Sequence, residues 1–243
     1  MLTRKDLAEL ASRLTTSLNL AAAPIGIAFL SESPADGAPA LDLPRPEAAR
    51  GGRTGPVAAG CVFWMKAEKG SFTTVAADHA NCSVGSYTHG FLTLPEAAAK
   101  DDVAAVLESG WVDEAAVQAL PRVRSKPACI VYGPLPQLPV APDVVLLRID
   151  AAALMTLKGA LPALRIEGKP QCHIIAIAKE HGEPAASVGC ALSRLRTGMK
   201  PEEMTCALPG AALGALVAKI EAAARLDRAM ARYASADAKR FIS

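Results

Sequence analysis

Three cysteines stand in settings that suit a metal or a cluster: Gly60-Cys61, Asn81-Cys82-Ser83 and Gly189-Cys190. The second lies in the richest stretch of the chain, Asp78-His79-Ala80-Asn81-Cys82-Ser83-Val84-Gly85-Ser86-Tyr87-Thr88-His89-Gly90. Two histidines, a cysteine, an aspartate and two glycines fall there within thirteen residues of an otherwise alanine-rich sequence. Each of the three cysteines is expected to open a helix. A thiolate in that position is favoured by free backbone N–H groups and by the positive end of the macrodipole. The neighbouring glycines let the backbone come close to a bulky ligand. Three thiolates from separate segments can hold a [4Fe–4S] cluster, with the fourth iron taken by a further residue or left open to substrate. His79, Cys172 and His173 are the candidates for that fourth ligand. His79 precedes Cys82 in an H-x-x-C spacing and, with Arg194, is a candidate for catalysis. Arg194 and Arg196 follow Cys190 and could bind an anionic substrate or balance cluster charge.

Other readings of the same residues stay open. Free cysteine is a frequent core residue. Cys129, within Ala-Cys-Ile-Val, and Cys206, within Thr-Cys-Ala-Leu, read as packed thiols. Cys61, Cys82, Cys190 and His79 also make up the Cys₃His set of structural zinc. Alternatively, Cys82 or Cys190 is a metal-free nucleophile activated by His79. No C-x-x-C pair is present, so the strongest zinc-ribbon and thioredoxin patterns are absent.

The elements that must position these residues read as follows. Thr3 caps a helix to about Leu18, with Leu7, Leu10, Leu14 and Leu18 at helical spacing and Asp6 placed to assist the cap. Pro24–Leu30 reads as a buried strand. Ser31–Ala59, rich in Pro, Gly, Ala and Arg, reads as a long loop covering the site. A short helix is expected from Cys61, a strand over Ser71–Val75, and a turn into a helix from Cys82. Two or three short helices fill Pro95–Leu120. Pro127–Tyr132 and Val144–Ile149 read as strands, the second followed by a helix over Ala151–Leu157. Ile174–Ala178 is apolar throughout, so its period does not separate strand from buried helix. Gly189–Arg196 reads as a short helix and Glu203–Ala207 as a strand. Pro209 opens a long helix to about Tyr233, with Leu213, Leu216, Val217 and Ile220 on one face. The class is α+β (mixed α/β): a single central sheet flanked by helices, with a long C-terminal helix. The 243 residues fit one domain over 1–243, or two closely packed subdomains.

Composition narrows the function. Hydrophobic residues make up 51% and charged residues 21%, enough to bury a core. A net charge of +2 without a basic run argues against nucleic acid as a partner. No apolar run reaches the roughly 20 residues of a membrane span. The amphipathic N-terminus does not read as a signal core. A cytoplasmic protein with six reduced cysteines is expected, acting on a small molecule. Homo-oligomerisation is left open.

Three segments together are distinctive: Gly60-Cys61-Val62-Phe63-Trp64-Met65-Lys66-Ala67, then Asp78-His79-x-Asn81-Cys82-x-Val84-Gly85-Ser86-Tyr87, then Ser187-x-Gly189-Cys190-x-x-Ser193-Arg194. They resemble the prokaryotic family catalogued as domain of unknown function 169. The resemblance spans nearly the whole chain and is weakest over Pro95–Pro121. It implies no settled activity, so the chemistry rests on the residues. Their leading reading is a [4Fe–4S] enzyme working through an open iron: a lyase, desulfurase or reductase. A non-catalytic sensor or carrier, a zinc site and a metal-free cysteine enzyme are the alternatives.

Overall fold

The computed structural model describes residues 2–32, 39–40 and 60–241, the side chain of residue 239 aside. Most of the loop expected over Ser31–Ala59 lies outside the described residues.

Helix α1 (Arg4–Leu18) opens on a reciprocal cap, in which Thr3 accepts from the Asp6 amide and Asp6 accepts from that of Thr3. Its leucines form one buried stripe. Strand β1 (Ile25–Leu30) follows, then α2 (Gly60–Ala67), β2 (Phe72–Thr74), a 3₁₀ turn (Ala76–His79) and α3 (Ser83–Thr88). The region without clear pattern holds three short helices: α4 (Leu94–Ala98), α5 (Asp101–Glu108) and α6 (Glu114–Gln118). Strands β3 (Cys129–Pro134) and β4 (Val144–Ile149) precede α7 (Ala151–Ala160). Then come β5 (Arg165–Glu167), α8 (His173–Ala176) continuing as a π turn to His181, and β6 (Ala185–Ser187). The chain closes with α9 (Ala191–Thr197), β7 (Met204–Pro209) and α10 (Leu213–Asp237).

The seven strands form one sheet in the order β2-β3-β1-β4-β7-β6-β5. Every pairing is antiparallel except β5 with β6. The class is therefore α+β with a single central sheet and a long C-terminal helix. The structure decides one open element and adds two short ones. The apolar run Ile174–Ala178 is helical, and it lacks a period because all of it is buried. β5 and β6 have three residues each, too few for a pattern to show.

Side chains alternate across the strands and build one core on each face of the sheet. Val145, Leu147 and Ile149 of β4 face a core closed by α1, α7 and α10. Val144 and Leu146 face the other, with Phe63 and Trp64 of α2 and Ile174 and Ile175 of α8. Cys61 and Cys172 belong to this second core, so the helices that carry the candidate site lie on that face. Among the described residues, no helix is long and apolar enough to cross a membrane.

Candidate functional site: a four-cysteine cavity

Each of the three singled-out cysteines stands at a helix start. Cys61 is the second residue of α2, Cys82 precedes α3 and Cys190 precedes α9. α3 and α9 have six and seven residues, too short for much macrodipole. The local amides do the positioning: the Ser193 N–H donates to Cys190 Sγ at 3.3 Å. Gly85 serves Cys82 in another way. A Cβ there would stand 3.3 Å from Cys82 Sγ, so the missing side chain lets the thiol lie against the first turn of α3.

Cys61, Cys82 and Cys190 line one cavity, and Cys172, just before α8, joins them as a fourth thiol. The cavity measures about 40 Å³, room for about three water molecules. Cys61 and Cys172 are buried, while Cys82 and Cys190 are half-buried. Burial pushes the Cys172 thiol well up, and the charge of Cys82 adds to the effect, with Cys190 and Cys61 behind it. Burial likewise raises Cys61, against a lowering hydrogen bond from Ser193, and Cys190 adds to the rise. The four sulfurs thus feel one another, and the two deepest hold their protons in the absence of a cation. Among the described residues, no three His, Cys, Asp or Glu side chains close on a point as ligands of one ion would.

Residues that the sequence did not single out complete the wall. Trp111, after α5, and Val106, within it, come from the region of weakest pattern. Gln171 precedes Cys172, is 2% exposed, and donates through Nε2 to Ser193 Oγ. Arg196 also lines the cavity.

His79 and Arg194 are placed elsewhere. His79 is not among the cavity-lining residues. Its ring lies 4.7 Å from those of Phe63 and Phe91, and its Nε2 bonds to Thr74 Oγ1 at 3.0 Å. The Thr74 hydroxyl donates to the Ile130 carbonyl, so His79 Nε2 carries the proton of that bond. Burial holds His79 well below the usual imidazole range, with His89 adding to the effect. The 3₁₀ turn ending at His79 sends the ring into the aromatic core, while Cys82 leaves it toward the cavity. The Cys₃His set is therefore not assembled. His173 is tied through Nε2 to Glu167 Oε2 at 3.1 Å and does not line the cavity. Arg194 donates to the carbonyls of Val188, Glu203 and Lys200. It folds the chain on either side of α9 together, away from the thiols. Arg196, two residues on and so nearly opposite on the helix, takes the place at the cavity. Cys129 and Cys206 are fully buried on β3 and β7, away from the cavity, and burial pushes the Cys206 thiol up to about 12.

A family model matches residues 13–219, a span that holds all four cavity cysteines. It is that of domain of unknown function 169 (DUF169), described as "Uncharacterised ArCR". The chain belongs to this family. Comparison with curated proteins and with solved structures gives no match. For this DUF169 protein, function is therefore argued from the cavity.

Proposed function

We propose that this DUF169 protein binds an iron–sulfur cluster of the [4Fe–4S] type through Cys61, Cys82 and Cys190, and acts in the cytoplasm as an enzyme on a small molecule. One observation carries the reading: four thiols from four separate segments line one cavity. Soft thiolates select iron–sulfur clusters, zinc and Cu(I). These differ in the spacing they ask of their ligands. Zinc binds thiolate at about 2.3 Å, which draws all its ligands onto one point. A cluster takes each thiolate on a different iron and spreads its ligands more widely. Among the described residues the four thiols share one cavity.

The cavity is narrower than a cluster. Binding and a local rearrangement of the cavity wall would therefore form one event. Binding also requires Cys61 and Cys172, whose thiols burial raises, to release protons where they ligate. Affinity should therefore increase with pH. When bound with one iron open, such a cluster supplies a Lewis acid suited to dehydration, desulfuration or reduction. Where the fourth iron is not left open, Cys172 is the candidate to hold it. The apolar wall of Val106 and Trp111 keeps bulk water from the thiols.

A metal-free cysteine nucleophile is less well supported, because the histidine meant to activate it is engaged with Thr74 outside the cavity. Single serine replacements test the proposal. Cys61→Ser, Cys82→Ser and Cys190→Ser should each lose bound iron. Cys129→Ser should keep it, at a stability cost of about 1–3 kcal/mol for a buried hydroxyl. Full iron content in Cys190→Ser protein would return that residue to the role of a packing thiol.

A further inference from the structure

The later half of α10 carries an apolar stripe that the core does not use. Leu226, Met230 and Tyr233 are 69%, 62% and 71% exposed and follow one another at intervals of four and three residues. Apolar side chains exposed singly are ordinary, but three in register on one helix make a surface. The same intervals lead back to Ala223 and Lys219 and on to Asp237. From Lys219 to Asp237 these six residues fill the a and d positions of a heptad repeat. The buried residues of α10, among them Leu213, Val217, Ile220 and Ala224, lie on another face, toward α1 and α7. The edges of that face are taken too: Asp227 accepts from Thr156 of α7 at 2.5 Å, and Glu221 pairs with Arg13 of α1. The stripe therefore points away from the fold.

We propose that this stripe is the interface of a homodimer, in which α10 packs antiparallel against α10 of a second copy. The stripe selects that occupant because it complements itself. In an antiparallel pair each a residue meets a d residue of the facing helix. With the two-fold axis level with Arg228, Leu226 meets the partner's Met230, Ala223 meets the partner's Tyr233 and Lys219 meets the partner's Asp237, each contact occurring twice. Small faces large in the middle layers, and cation faces anion at both ends. A parallel pair would instead set Lys219 against the partner's Lys219 and Asp237 against the partner's Asp237, which is unfavourable. Asp237 holds Arg240 of its own chain through Oδ1, and a carboxylate accepts from more than one donor. The g positions that flank the seam are all alanine, at 222, 229 and 236, so the two helices can approach closely. α10 borders the core on the face of the sheet away from the thiol cavity, so the dimer does not depend on a cluster.

The test is sedimentation velocity of the full chain across about 1–100 µM, with vesicles of phosphatidylglycerol as a second arm. The seam is short, so a Kd within that range is expected, the mass rising from one chain to two. Leu226→Glu/Met230→Glu should stay monomeric throughout; both positions are exposed, so it should melt as the wild type does. Lys219→Asp and Asp237→Lys should each weaken the dimer about fivefold or more, because two ion pairs become two repulsions. The double variant Lys219→Asp/Asp237→Lys should recover the wild-type constant, since the antiparallel register pairs the exchanged charges again. Wild-type protein that is monomeric at about 100 µM overturns the dimer. If that monomer sediments with the vesicles, the stripe belongs to a membrane surface instead. A Leu226→Glu/Met230→Glu protein that still dimerises overturns the surface. Single charge variants that leave the constant unchanged, or a double variant that does not recover it, overturn the antiparallel register.

Discussion

Replacing Gly189 with alanine strains the segment that presents Cys190, and the structure gives the size of the effect. Gly189 has φ +100°, a backbone region that L side chains rarely adopt. An added Cβ would stand 3.0 Å from Arg194 Nη2 and 3.2 Å from its Nε. That guanidinium cannot simply swing away, because it donates to the Val188 carbonyl at 2.9 Å and to that of Glu203 at 2.8 Å. The left-handed backbone costs about 1–2 kcal/mol. A displaced charged hydrogen bond adds about 1.5–3 kcal/mol. The stiffer unfolded chain of the alanine variant offsets about 0.4–1 kcal/mol. A net loss of about 1.5–4.6 kcal/mol is expected, lowering the melting temperature by about 3–18 °C for a chain of this size. Gly198 supplies the control. It ends α9 at φ +67°, and nothing would lie within 4 Å of its Cβ. Gly198→Ala bears the backbone cost alone and should lose about 1 kcal/mol or less. Melting both variants by circular dichroism checks the reasoning. Equal shifts, or an unshifted Gly189→Ala, would refute the role given to the Arg194 contact.

Arg148→Met should lose about 1–3 kcal/mol in a urea melt, because Arg148 pairs with Glu68 at the end of α2 and with Glu203 in a half-buried network. A loss below a few tenths of a kcal/mol would make the network an ordinary surface pair. Acid should also destabilise the fold through His89, whose pKa burial lowers from 6.5 to about 4. Between those values the unfolded chain holds the proton and the folded chain does not. Stability is then complete above about pH 6.5 and declines as pH falls toward about 4, by about 3 kcal/mol. His79, shifted in the same direction, adds to the loss. Urea melts from pH 7 to pH 4.5 would show it, and a profile as flat in wild type as in His89→Phe would contradict it.

Much of this was legible in the residues, for reasons that can be named. Thr3 and Asp6 announce α1, and Cys61 and Cys190 after glycines, with Cys82 after a turn, announce three helix starts that meet at one cavity. Cys172 stays open in the sequence, since nothing in Gln171-Cys172-His173 says that the residue just before α8 joins the other thiols. The H-x-x-C spacing misled because the backbone changes from a 3₁₀ turn to an N-cap between His79 and Cys82, so a three-residue interval no longer means a shared face. A clearer signal existed for the arginines. Residues two apart on a helix point in nearly opposite directions, so Arg194 and Arg196 could not both serve the site. Leu192, Ser193 and Arg196 share the spacing of one face and all line the cavity. Trp111 and Val106 carried no signal, because α5 and α6 are too short for periodicity to develop.

The most direct test is the iron and acid-labile sulfide content of the wild-type protein purified without oxygen. The account predicts a brown protein with about four iron and four sulfide per chain, both lost in Cys190→Ser and kept in Cys129→Ser. A colourless protein that stays free of iron and sulfide after anaerobic reconstitution, with its four cavity thiols reduced, would contradict it.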